Sequence, residues 1–120
     1  MIEVEKLTKR FGGFTAVNAI DFHVQKGEIV GFLGPNGAGK STTMRMLAGF
    51  VPPTSGRAKV AGFDIFTDSL RARERIGYMP ENVPLYTDMR VNEFLRYRAA
   101  LKGVPSRRLT ERIGDVLELC

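Results

Sequence analysis

The chain has 120 residues, 43% of them apolar and 26% charged, with a net charge of +5. That mix and length suit one soluble domain with a buried core, and one cysteine, Cys120, excludes an internal disulfide or a cysteine metal cluster. No apolar run reaches the ~18 residues that span a bilayer, and residues 1–5 lack the basic-then-apolar pattern of a secretory signal, so a cytoplasmic protein is expected.

The positive charge is spread evenly. Residues 1–65 carry 8 Lys/Arg against 5 Asp/Glu, and residues 66–120 carry 10 against 8. A diffuse positive field fits phosphate ligands or an acidic partner. A nucleic-acid protein more often gathers its charge on a face or an arm, so no nucleic-acid partner is expected.

Ile2 and Val4 alternate with Glu3 and Glu5, which predicts a half-buried strand. Gly12-Gly13 breaks the chain. Ile20, Phe22 and Val24 alternate with Asp21, His23 and Gln25, a second strand with His23 on its wet face. Lys26-Gly27 turns into the continuous apolar run Ile29-Val30-Gly31-Phe32-Leu33, which suits a strand buried on both faces of a parallel sheet. A glycine-rich loop follows, then a helix over 42–48 that ends near Gly49, before Pro52-Pro53.

A short strand is expected over 57–60, a charged helix over 68–75 and a strand over 76–79. Residues 82–88 read as loop. Val91, Phe94, Leu95 and Leu101 recur at helical spacing up to Gly103 and Pro105. Ser106 is the expected N-cap of a last helix, whose stripe holds Leu109, Ile113, Val116, Leu117 and Cys120. Alternating strands and helices argue an α/β fold. The last helix meets no stop signal, so the chain is expected to be part of a longer domain.

The chemistry lies in Gly34-Pro35-Asn36-Gly37-Ala38-Gly39-Lys40-Ser41-Thr42. It satisfies the P-loop pattern of glycine, four residues, then Gly-Lys-Ser/Thr. Triphosphate packs several negative charges within a few ångströms, and a protein holds it by wrapping main-chain N–H groups around the oxygens. Such wrapping leaves no room for Cβ atoms and needs unusual φ, hence the glycines. The helix that follows aims its positive end at the same phosphates. Lys40 adds a full charge for the β and γ oxygens, and the Ser41 hydroxyl is small enough to ligand Mg²⁺. The pattern should follow a buried strand and open a helix, and residues 29–33 and 42–48 are the expected pair.

Further stretches extend the match. The run GPNGAGKST at 34–42 resembles the Walker A motif of ABC ATPases in its filler residues too. Leu7-Thr8-Lys9-Arg10-Phe11-Gly12 resembles that family's A-loop segment, and Val24-Gln25-Lys26-Gly27-Glu28-Ile29 its lead into the P-loop strand. Pro53-Thr54-Ser55-Gly56 resembles its PTSG turn, and Ile76-Gly77-Tyr78-Met79-Pro80-Glu81 its Q-loop strand. The resemblance covers essentially the whole chain.

It implies an ABC-type P-loop ATPase core. An N-terminal antiparallel β subdomain and the P-loop would occupy residues 1–80, and the Q-loop with the start of a helical subdomain residues 81–120. Phe11 would stack on adenine, where many members carry Tyr; otherwise it is a core phenylalanine. Val17 would pack beside ribose and base, or in the core. Asn36, Gly37, Ala38, Gly39, Lys40, Ser41 and Thr42 would contact the phosphates of ATP, with Ser41 on Mg²⁺. Glu81 stands where most members have Gln, near the metal shell or the attacking water; as a carboxylate it is a harder metal ligand and a weak base, or else a solvated loop residue. Some exporter-type members also carry Pro-Glu here.

The family's signature sequence, its Walker B strand ending in Asp and its switch histidine have no counterpart in these 120 residues. The resemblance implies the ATP-binding subunit of an exporter-type transporter. It would sit at the cytoplasmic face of the membrane, paired with a second ATP-binding subunit and with transmembrane permease subunits. A soluble non-transport ABC ATPase and another P-loop enzyme, such as a small-molecule kinase, are the alternatives.

Overall fold

A computed structural model describes all 120 residues. They divide into two compact units, Met1–Tyr78 and Met79–Cys120.

The first unit is built on β1 (Ile2–Phe11), β2 (Phe14–Val24), β3 (Ser55–Val60) and β4 (Phe63–Asp64), paired antiparallel in the order β2-β1-β3-β4. Gly12-Gly13 closes the β1–β2 hairpin, with Gly12 at φ 56°. Helices α1 (Lys40–Leu47) and α2 (Ser69–Glu74) complete it. Val4, Leu7, Val17, Ala58 and Val60 of the sheet form one core with Met46 and Leu47 of α1, Ile65, and Ala72 of α2. Burying a side chain the size of Met46 or Leu7, both fully enclosed, contributes about 1.5–3 kcal/mol each. α1 ends as its sequence dictates: Gly49 takes φ 75° just past the helix, and the amide of Phe50 bonds back to the carbonyl of Arg45 at 2.9 Å.

Beside β4, the Asp64 carboxylate accepts the amides of Phe66 and Thr67 at 2.8 and 3.0 Å. Partial burial pushes its acidity the other way, but those amides and the nearby Lys59 win and hold the carboxyl below the usual carboxylate range.

Both hairpin strands run longer than their alternation predicts, because the hairpin is bulged. β1 carries an extra residue between Val4 and Leu7, and β2 carries one between Ile20 and Val17 and another at Ala16. Each bulge flips the inward side by one residue. Lys6 and Ala19 sit in the first two, at φ 44° and 47°.

Two expected strands are absent. Residues 29–33 pair with nothing, leaving Ile29 99% and Leu33 92% exposed, although Phe32 packs its ring on Phe22 at 5.6 Å. Residues 76–79 likewise form no strand; Ile76 packs on the core and Met79 is exposed. A strand exists only through its ladder, and β1 to β4 pair among themselves. His23 is exposed, as its alternation predicts.

The second unit is a helical hairpin, α3 (Val91–Leu101) and α4 (Ser106–Leu119), preceded by a loop. The Glu93 carboxylate accepts the Arg90 amide at 2.8 Å and fixes the start of α3. Gly103 at φ 72° turns the chain. Pro105, rather than Ser106, holds the N-cap position of α4; its extended backbone suits that place and Ser106 becomes the first helical residue. Leu109 and Ile113 are buried, but Val116, Leu117 and Cys120 are exposed. Within this unit α4 has one helix to pack on, too little to cover its whole apolar stripe. Tyr86 of the preceding loop lies edge-on to Tyr97 at 5.7 Å and near Phe94 at 6.4 Å. The bond between the two tyrosines pushes the Tyr97 phenol up.

Candidate phosphate-binding site

The loop at 34–39 opens α1 in the way an anion requires. Gly37 and Gly39 take φ 83° and 87°, in the left-handed region where side chains are strained. At Gly37 a Cβ would meet open space, so the requirement there is dihedral alone. At Gly39 it is also steric: a Cβ would lie 2.3 Å from the Ala16 carbonyl oxygen and 3.0 Å from Val17 Cγ2. The loop is thus seated directly on the backbone of β2.

Gly39 is the N-cap of α1, and no side chain caps the helix. The first helical bond is Thr43 N–H to Gly39 O at 2.8 Å, so the amides of Lys40, Ser41 and Thr42 precede the ladder and point out of the helix end. No acidic residue occupies the first turn. Thr43 turns inward instead, its hydroxyl donating to Gly39 O at 3.0 Å. The exposed end therefore offers N–H donors and a positive dipole with no competing anion.

Lys40 Nζ donates to the carbonyls of Gly34 and Pro35 at 2.5 and 2.7 Å. An ammonium has three donors. Two tie the loop's entry to its exit, and the third is left for an oxygen in the cradle. Ser41 is exposed in the same first turn. No group of three or more His, Cys, Asp or Glu side chains converges to hold an ion unaided. The Ser41 hydroxyl is the side-chain oxygen that the first turn could offer a magnesium ion arriving with phosphate oxygens.

The other expected site residues fall in different settings. Phe11 ends β1 at the hairpin tip, 50% exposed, opposite Phe14, with Lys9 Nζ 5.0 Å from its ring centroid. Phe14, 63% exposed, is a second aromatic at that tip which sequence reasoning passed over; only the hairpin register brings it beside Phe11. Val17 is 4% exposed and belongs to the core, wedged against Gly39, so it has little surface to offer a ligand. Asn36, Gly37 and Ala38 are exposed on the loop, and Thr42 is half-buried. Glu81 lies in the second unit, exposed on the loop before α3.

A glycine-lysine loop seated on an antiparallel hairpin, opening a helix onto donors and one cation, defines a P-loop protein. The chain matches the ABC transporter family over residues 17–119 and belongs to it. It is 44% identical over 118 residues to a probable multidrug ABC transporter ATP-binding protein of Escherichia coli (strain K12), covering 98% of this chain and 20% of that one. It is 38% identical to the linearmycin resistance ATP-binding protein of Bacillus subtilis (strain 168), covering 98% and 38%. A solved ATP-binding subunit of an ABC transporter superposes on 98% of this chain and 49% of its own, with a TM-score of 0.85 at 29% identity. The chain therefore spans well under half the length of these two curated relatives. The four-stranded antiparallel sheet meets the expected β subdomain, and no helix is long and apolar enough to cross a membrane.

Proposed function

We propose that this chain holds Mg²⁺–ATP and that, within a longer protein paired with a second ATP-binding subunit, hydrolysis drives export of a substrate through transmembrane permease subunits. The observation that carries the reading is the seated loop: the amides of Lys40, Ser41 and Thr42 precede the helix ladder, and the Lys40 ammonium is held at the loop by two carbonyls. In this reading Asn36, Gly37, Ala38, Gly39, Lys40, Ser41 and Thr42 bind the phosphates, Phe11 stacks on adenine, and Val17 acts as the spacer that sets the loop's height. Glu81 meets the metal shell or the attacking water and relays the state of the membrane partner. Magnesium, held with the help of the Ser41 hydroxyl, would supply neutralisation of the phosphate charge. Export, rather than import, is favoured by Pro80-Glu81 alone, because the names of similar ATP-binding proteins include both an export and an import system. The whole acts at the cytoplasmic face of the membrane.

Phosphoryl transfer needs charge stabilisation around the whole γ-phosphate, and this chain supplies Lys40, Ser41 and the amides. The 120-residue chain is expected to bind Mg²⁺–ATP without multiple turnover, as read by phosphate release. Steady release that disappears in Lys40→Ala would contradict that division of labour. Absence of any nucleotide binding would overturn the reading itself.

A further inference from the structure

The hairpin that presents Phe11 is held in shape by one buried hydroxyl. Thr8 is 5% exposed. Its Oγ1 donates to the carbonyl of Lys6 at 3.2 Å and accepts the amide of Ala19 at 2.9 Å. Lys6 and Ala19 are the two left-handed bulge residues of the facing strands. Neither is glycine, so each holds a backbone conformation that a residue with a Cβ disfavours, and something must hold it. The Asp21 carboxylate takes the Lys6 amide at 2.8 Å. The Lys6 carbonyl reaches β3, where a Cβ on Gly56 would lie 2.1 Å from it. Gly56 is thus glycine because the bulge occupies its side-chain space.

The consequence reaches the site. Beyond the bulges at Lys6 and Ala19 the hairpin runs from Lys9 opposite Val17, past the further bulge at Ala16, to Phe11 opposite Phe14. Ala16 and Val17 are the residues that abut Gly39. Two residues of strand, about 7 Å, separate that seat from Phe11. One short stretch of paired hairpin therefore carries both the aromatic ring and the seat of the phosphate loop, and the bulges at Lys6 and Ala19 set its direction.

We infer that Thr8 is a positioning residue for nucleotide binding: its hydroxyl locks the double bulge and so fixes where the Phe11 ring stands relative to the phosphate loop. This rests on the nucleotide reading of the site. It separates two ligands: ATP needs both ring and loop in register, whereas magnesium tripolyphosphate needs the loop alone.

The test is calorimetric titration of the whole chain with each ligand, with thermal melts alongside. Thr8→Val should weaken Mg²⁺–ATP about tenfold, the scale of one base–aromatic stack, and change tripolyphosphate less than twofold. Thr8→Ser, which keeps the hydroxyl, should restore ATP binding. In Phe11→Ala, which already lacks the ring, adding Thr8→Val should cause no further selective loss. Equal loss of both ligands, or of neither, in a folded Thr8→Val overturns the inference. Should that variant not fold, Asp21→Ala removes the exposed carboxylate that holds the Lys6 amide of the same double bulge. A selective ATP loss of about threefold is then expected, and none overturns it. Failure of the unaltered chain to bind either ligand would instead remove the nucleotide site.

Discussion

Gly39→Ala is expected to abolish measurable Mg²⁺–ATP binding and to lower the stability of the first unit by about 2–4 kcal/mol. Two penalties add at this position. The backbone sits at φ 87°, where an L side chain is strained. The new methyl would also stand 2.3 Å from the Ala16 carbonyl oxygen, a main-chain atom with no rotamer to escape into. Either the loop lifts off β2 or the hairpin yields, and the amides of Lys40, Ser41 and Thr42 lose their common aim in both cases. Gly37→Ala provides the contrast. It has a similar φ but open space for the methyl, so a loss of about 1 kcal/mol is expected there. Denaturant melts with nucleotide titration separate the two. A Gly39→Ala protein as stable as Gly37→Ala, with binding intact, would show that the loop is not seated on β2.

Lys40→Ala is expected to weaken Mg²⁺–ATP by about thirty- to a hundredfold, with little change in melting temperature. A charge within about 4 Å of phosphate oxygens near a protein surface is worth up to ~4 kcal/mol. Lys40 is half-exposed, so solvent screening brings this down to roughly 2–3 kcal/mol, and each 1.4 kcal/mol is tenfold in affinity. Its bonds to Gly34 and Pro35 are exposed and contribute little to the fold, though they keep the ammonium over the cradle. Lys40→Arg keeps the charge, but a planar fork does not fit a point between two carbonyls. Binding between wild type and alanine is expected for it. Calorimetry in moderate salt reads all three, and wild-type affinity in the alanine variant would deny the lysine its role.

The site was legible where its chemistry is contiguous. A phosphate cradle needs glycine, lysine and hydroxyl at fixed steps along one stretch, and the structure keeps that stretch as one loop and helix start. Helix α2 was legible as well, from Asp68 at its N-cap to Arg75 at its C-cap, because propensity and charge act locally. The hairpin was only half legible. Alternation ends at Glu5 and resumes at Ile20 because the bulges at Lys6, Ala19 and Ala16 shift the inward face. A bulge is a property of two paired strands, not of one sequence window. Thr8 and Gly56 were illegible for the same reason: their neighbours lie on other strands. The apolar run 29–33 reads as a buried strand, but burial depends on a partner, and its run of side chains carries no information about one. Phe11 was singled out by resemblance; nothing in its own surroundings in sequence distinguishes it from Phe14.

The central claim is that main-chain amides at the start of α1 hold a nucleotide's phosphates. Mapping backbone amide resonances of the chain during titration with Mg²⁺–ATP tests it most directly. Saturable shifts centred on residues 37–42, with the Phe11 ring moving in the same titration, are the expected result. Resonances that stay still there, or shifts confined to β3 and β4, would contradict it.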